Sequence, residues 1–346
     1  MKNINKYIIM VLGLSFLASY AYAQDAQFSQ YYASSLYLNP AMVGIEHDLT
    51  FSTAYRSQWR GAAKPYTTNQ VSAIIPLLAG VSKRHPVGGI GVSVFNDQSG
   101  DAALRTTGAN LSFAYTKSLR SDLSRFSIAG QVGVIQKNID FTNAEWGSYY
   151  NDLGYTNPTS FTGTGISNSK LMPDVSLGAM WSFNPTHNYF RSGLSGYLGV
   201  AAMHVNQPNE SLVEGYQSAM PMAFKAHGGL EFHMSPKLNV GPSFLFVSQG
   251  KASQVNAGAY LNYRIVENPF SPLANSDLIF GTWYRLQDAF IFATGITNNN
   301  FTLGVSYDMN ASSLRTNTNA RGAYEITLAI RNAREKKRKR FDTPRI

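Results

Sequence analysis

Five polar residues carry most of the chemistry this sequence offers: Arg56, Gln58, Asp97, Asp308 and Glu325. Each falls on the small, polar side of an alternating stretch. A guanidinium beside carboxylates makes charge-assisted hydrogen bonds. Enclosed in a narrow space, such a set can brace facing walls or act as a constriction that selects a solute. An unpaired charge in a narrow space is costly, which favours the brace, with Asp97, Asp308 and Glu325 as candidate partners for Arg56. A second group is the basic run Lys336-Lys337-Arg338-Lys339-Arg340, either a solvated end or a docking segment for an acidic partner. A third is Asn39-Pro40 with Gly44, turn signals in an aromatic segment expected to form a plug.

Catalytic chemistry is not signalled. The six histidines, His47, His85, His187, His204, His227 and His233, are scattered, without zinc-type spacing or a carboxylate cluster beside them, and read as isolated groups. Cysteine is absent, which removes disulfides, thiolate metal sites and thiol nucleophiles together. No nucleophile elbow or phosphate-binding loop occurs. The expectation is a protein that is not an enzyme and has no cofactor and no metal.

The elements that position these residues are read from a period of two. In Phe301–Met309, Phe, Leu, Val, Tyr and Met alternate with Thr, Gly, Ser and Asp. Tyr324, Ile326, Leu328 and Ile330 repeat the rule against Ala323, Glu325, Thr327 and Ala329. Leu49, Phe51, Thr53 and Tyr55 oppose Thr50, Ser52, Ala54, Arg56 and Gln58. Such segments recur at about 47–58, 67–76, 87–96, 104–117, 123–137, 173–183, 194–205, 222–234, 237–249, 253–265, 276–286, 288–297, 299–309 and 321–331. About fourteen strands, an even number, fit an antiparallel transmembrane β-barrel whose apolar side faces lipid and whose polar side lines the lumen. The long polar connections, 138–171, 206–221 and 310–320, all fall at one end, as the outer loops of such a barrel do. Links 77–86 and 266–275 at the other end are longer than that rule favours. A soluble sandwich is the alternative, and it predicts no such asymmetry.

Composition agrees with the barrel. Charged residues are 14% and aromatics 13%, with 20 Tyr and 20 Phe, and mean hydropathy is −0.17. Lys2 and Lys6, the apolar run Tyr7–Ala18 and the small-x-small site Ala21-Tyr22-Ala23 predict a signal peptide over 1–23. The expected organisation is then an N-terminal segment 24–45 packed in or under the barrel mouth, an outer-membrane barrel 46–331 and a basic periplasmic tail 332–346. The formal charge of +9 is concentrated at the ends. Residues 331–346 hold eight Lys/Arg against two Asp/Glu, leaving the barrel near neutral. An exported chain makes nucleic acid an unsuitable partner for that tail.

A family resemblance adds to this reading. Gln24-Asp25-Ala26-Gln27-Phe28-Ser29-Gln30-Tyr31, Asn39-Pro40-Ala41 with Gly44, and Tyr55-Arg56-Ser57-Gln58-Trp59 resemble the PorP/SprF outer-membrane proteins of the type IX secretion system. Asn96-Asp97 with Gly100, Ala114-Tyr115, Gly281 with Trp283-Tyr284-Arg285, Ser306-Tyr307-Asp308 and Gly322 with Tyr324-Glu325-Ile326 extend the likeness over nearly the whole mature chain. Members of that family often end in a Cys-Pro-Arg-Phe type sequence. Here the end is Thr343-Pro344-Arg345-Ile346, so no role of a terminal thiol carries over. The resemblance implies an integral outer-membrane component of the secretion and gliding machinery. It implies as partners the C-terminal domain of a large secreted adhesin, the periplasmic ring of the machine, an OmpA-like peptidoglycan-binding lipoprotein and outer-membrane lipid. A passive pore for small solutes is the alternative function.

Overall fold

The structure, a computed structural model, describes residues 25–46, 48–59, 65–78, 86–99, 104–119, 124–139, 150–151, 154–155, 167–183, 194–235, 237–265, 276–298, 300–312 and 321–332. The signal-peptide reading over 1–23 and the tail residues Lys336, Lys337, Arg338, Lys339 and Arg340 lie outside these.

Fourteen strands close into one antiparallel barrel. In chain order they are β1 Leu49–Gln58, β2 Tyr66–Leu78, β3 Pro86–Ser99, β4 Leu104–Leu119, β5 Ser124–Asn138, β8 Ser169–Phe183, β9 Leu194–Met203, β10 Ala223–Ser235, β11 Leu238–Gln249, β12 Ala252–Arg264, β13 Asp277–Arg285, β14 Ala289–Thr297, β15 Phe301–Asn310 and β16 Arg321–Asn332. The two-residue β6 Tyr150–Asn151 and β7 Gly154–Tyr155 pair with each other in the connection between β5 and β8. Closure is made by β1 against β16, in register from Leu49↔Asn332 to Gln58↔Ala323. Every barrel strand is nine residues or longer, enough for a tilted strand to cross a hydrocarbon core.

The side chains are arranged inside out relative to a soluble protein. Phe51, Val92, Leu111, Phe113, Tyr115, Ile128, Val132, Leu177, Val200, Phe292, Val305 and Ile326 are exposed on the outer surface. Ser52, Gln70, Ser112, Ser127, Gln131, Ser176, Asn256 and Ser306 are buried on the inner one. Row upon row of exposed aliphatic and aromatic groups suits lipid, since water would not tolerate an apolar band of this extent.

The strand boundaries differ from the sequence reading most clearly at β8, which starts at Ser169 rather than near 173. Pro173 marks the difference. A proline gives no ladder donor, so a strand reading stops there. Here β8 pairs with β9 only from Leu177 onward, so Pro173 lies beyond the end of that ladder. The Asn206 side chain closes the gap, donating to the Pro173 carbonyl at 2.8 Å and accepting from the Val175 N–H at 3.0 Å.

Residues 25–46 do not join the sheet. They form two 3-10 turns, Tyr31–Ala33 and Pro40–Gly44, around a single helical turn, Ser35–Leu38. Leu36, Ala41, Met42, Val43 and Ile45 pack on inward Ile74, Ala114, Ala129 and Met180. Tyr31 and Leu38 pack on Tyr260, Trp283 and Ile291. This strap is therefore the apolar core that the polar inner wall lacks. Its close fit is visible at Gly44, where an added Cβ would lie 2.2 Å from Ser127 Oγ and 2.3 Å from Thr116 Oγ1.

Candidate functional site

The strap is fixed by two charged clusters and by hydrogen bonds between them. The first cluster centres on Arg56, 2% exposed. Its Nη2 lies 2.9 Å from Asp308 Oδ2, and its Nη1 lies 3.7 Å from Glu325 Oε2. Arg285 Nη2 shares the same Asp308 oxygen at 3.2 Å, while its Nη1 reaches Asp288 at 3.0 Å. Local alternation explains the convergence. Arg56, Arg285, Asp308 and Glu325 occupy inward positions on β1, β13, β15 and β16, and Arg56 and Glu325 are direct cross-strand partners. Gln58, two residues above Arg56 on the same face, accepts from its Nη2 at 3.4 Å.

The strap enters this cluster as a partner. Glu325 accepts the N–H groups of Ser29 at 2.7 Å and Gln30 at 3.0 Å. Ser29 Oγ donates to Asp308 at 2.7 Å and receives bonds from Arg56 and, at 2.9 Å, from Arg285. Gln30 Oε1 accepts from Thr327 Oγ1 at 3.0 Å, and its Nε2 reaches Ser306 Oγ at 3.3 Å. Two orphan backbone donors and a hydroxyl thus join wall and strap in one buried polar network.

Further along the strap, Asn39 caps the Pro40–Gly44 turn by accepting the Ala41 N–H at 2.9 Å. Its Nδ2 lies 3.1 Å from the carbonyls of Ala179 and Val200 and from His227 Nε2. The Asn39 amide approaches β8 so closely that a Cβ at Gly178 would sit 2.2 Å from Asn39 Oδ1 and 2.9 Å from the Pro40 ring. The Gly44 carbonyl accepts from Thr116 Oγ1 at 2.8 Å. Asn39, Pro40 and Gly44 are therefore wall contacts of the strap.

The second cluster holds the first described residue. Asp25 Oδ2 lies 2.9 Å from His204 Nε2, and His204 Nδ1 lies 2.7 Å from Asp174 Oδ1. The Asp25 N–H donates to the Gln249 side chain at 2.8 Å. Asp25 and His204 belong to no strand. Burial alone would lower the His204 pKa, but the Asp25 carboxylate, aided by Asp174, raises it to about 10. Burial would raise the Asp25 carboxyl, yet the adjoining His204, then Lys225 and Gln249, hold it well below the usual carboxylate range. The imidazole is thus a cation shared by two carboxylates. His204 takes a φ of +56°, a left-handed conformation uncommon for histidine, at the point where β9 gives way to the 204–222 connection.

Two sequence readings are corrected here. Asp97 accepts from Thr68 Oγ1 at 2.6 Å and stands beyond ion-pair distance of Arg56, because Thr68 is the cross-strand neighbour of both and lies between them. His204 is not an isolated histidine. Its partners stand 179 and 30 residues away in sequence, and no local spacing reports such pairs. Arg285 and Ser29 were not singled out as site residues, although Arg285 shares an inward parity with Trp283. Among the described residues, no group of three His, Asp or Glu is placed to hold a metal ion.

A closed antiparallel barrel with a lipid-type exterior and a lumen filled by its own N-terminal strap is a membrane β-barrel of the outer-membrane type. The family model described as type IX secretion system membrane protein PorP/SprF matches residues 20–330, and the chain belongs to that family. No curated protein sequence matches it. Among solved structures, the Ralstonia pickettii toluene transporter TbuX is 11% identical with a TM-score of 0.48, covering 87% of this chain and 94% of that one. A Pseudomonas aeruginosa FadL homologue is 9% identical with a TM-score of 0.41, covering 86% and 94%. The KdgM porin in complex with disordered oligogalacturonate is 8% identical with a TM-score of 0.40, covering 82% and 100%. Similarity this low adds nothing to the barrel already described, and no cargo is carried over from it.

Proposed function

We propose that this barrel works by binding rather than by conduction: it anchors, or helps export, a large secreted adhesin whose C-terminal domain is gripped by the outer connections. The observation that carries this reading is the filled lumen. Residues 25–46 occupy it, and the Asp25–His204 ion pair, hydrogen bonds from Ser29 and Gln30 to the buried carboxylates, and apolar packing fix them there. With the interior taken, the long connections of one end are the available working surface. The connection 204–222 is suited to the task. Asn209 Oδ1 ties the N–H groups of Ser211 and Ser218, Glu210 pairs with Lys137, and Lys170 holds the Ser211 carbonyl. At its tip Tyr216 is 72% exposed. A rigid loop that presents an aromatic group binds with little loss of conformational entropy.

β16 ends on the opposite side of the barrel, and on this reading the sequence that follows it, with Lys336, Lys337, Arg338, Lys339 and Arg340, supplies positive charge for an acidic face of the periplasmic ring or of the OmpA-like lipoprotein. Gliding follows, on this reading, from adhesin displayed at the surface. The test is affinity purification of the barrel from outer membranes, with co-purifying chains identified, beside a deletion strain. Co-purification of one large secreted protein that the deletion strain fails to export or retain supports the reading. An adhesin still exported and retained in the deletion strain removes it.

A further inference from the structure

The strap has a direction, and the direction places its N-terminal end, Asp25. Its late part, Gly44–Glu46, lies at the end of the barrel where β1 starts, with the Gly44 carbonyl on Thr116 and β1 beginning at Leu49. Its first described residue lies at the other end. Asp25 is bonded to Gln249, the last residue of β11, and to His204, the residue that follows β9. Gln249 precedes the turn into β12, and His204 opens the 204–222 connection. Both belong to the end that carries the long connections 139–168, 204–222 and 311–320, the extracellular end in barrels of this kind.

The strap therefore traverses the lumen, and the strands begin at the end opposite to the one where it starts. We propose that the N-terminal end of the strap, at Asp25 and Ala26, opens on the extracellular mouth, between the root of the 204–222 connection and the β11–β12 turn, so that this end of the strap is part of the outward interaction surface. This inference goes beyond the anchoring role and does not depend on which protein the outer face binds. It makes the Asp25–His204–Asp174 cluster a latch on the N-terminal end of the strap.

The absence of cysteine from the chain gives the test a clean background. Three single-cysteine variants suffice: Ala26→Cys beside the latch, Tyr216→Cys on the outer connection and Lys237→Cys in the opposite β10–β11 turn. Each is exposed to a membrane-impermeant maleimide carrying polyethylene glycol, on intact and on permeabilised cells, and read as a gel shift. Ala26→Cys is expected to shift on intact cells together with Tyr216→Cys, and Lys237→Cys only after permeabilisation. A pairwise measurement on the purified folded barrel guards against a poorly reactive thiol. A short bis-maleimide should bridge Ala26→Cys to Gln249→Cys and not to Lys237→Cys. Labelling of Ala26→Cys only after permeabilisation, or its bridging to Lys237→Cys, would overturn the proposal.

Discussion

Replacing Arg56 by methionine removes the cation at the centre of the first cluster while keeping much of the side-chain volume. The geometry sets the size of the effect. Breaking a buried ion pair by removing one partner costs about 3–5 kcal/mol, because the other charge stays buried. Here Asp308 retains Arg285 at 3.2 Å, and Glu325 retains the N–H groups of Ser29 and Gln30. The lower end is therefore expected, about 3 kcal/mol. The assay is urea unfolding of the barrel refolded in detergent. Intrinsic fluorescence follows it, since buried Trp283 packs against strap residue Tyr32, with ring centroids 5.4 Å apart and planes tilted by 33°. Asp308→Asn and the double variant complete a cycle. Asp308→Asn should cost less in the Arg56→Met background than alone, with a coupling of about 0.5–3 kcal/mol, the range for groups in one network. Additivity within about 0.5 kcal/mol would refute the claim that these residues act as a single brace.

Other consequences can be checked alongside. Gly44→Val should displace the strap from β4 and β5 and destabilise the barrel by roughly 1–3 kcal/mol, the usual cost of overpacking, read as a lower urea midpoint. Asn39→Ala should increase protease cleavage within residues 25–46, because the turn loses its cap and its contacts with Ala179, Val200 and His227. The second cluster gives a pH dependence of definite sign. The His204 pKa is raised to about 10, so its contribution is complete below the ordinary histidine pKa of about 6.5 and is lost as pH rises through 10. The Asp25 pKa is lowered, so its contribution is present above the ordinary aspartate value of about 3.9 and is lost as pH falls below it. Bridging of Ala26→Cys to Gln249→Cys should accordingly decline toward alkaline pH, and His204→Gln should abolish that decline.

The barrel was legible because a strand displays its two faces in alternate residues and lipid enforces the contrast. Phe301–Met309 assigns its own orientation, and Arg56, Asp308 and Glu325 acquire a common lumen from parity alone. What parity does not supply is distance around the barrel. Asp97 is inward like Asp308, yet the Thr68 side chain stands between it and Arg56, whereas closure sets Glu325 of β16 directly opposite Arg56 and Asp308 reaches past β16 to the guanidinium. The strap was legible as an aromatic, turn-rich segment that belongs with the barrel. Its path was not, because its contacts join residues more than a hundred apart, as in Asn39 with Ala179 or Ser29 with Glu325. His204 was misread for the same reason. The basic tail shows the converse, since composition announces a charge run without naming what it faces.

The central claim is that the strap closes the lumen and leaves the outer connections to do the work. Planar-bilayer recording of the purified, full-length mature barrel tests it most directly, with a variant lacking residues 25–46 recorded in parallel. The intact barrel is expected to give no steady conductance and the shortened one a stable open level. A stable ohmic conductance from the intact barrel, unchanged when the strap is removed, would contradict the account.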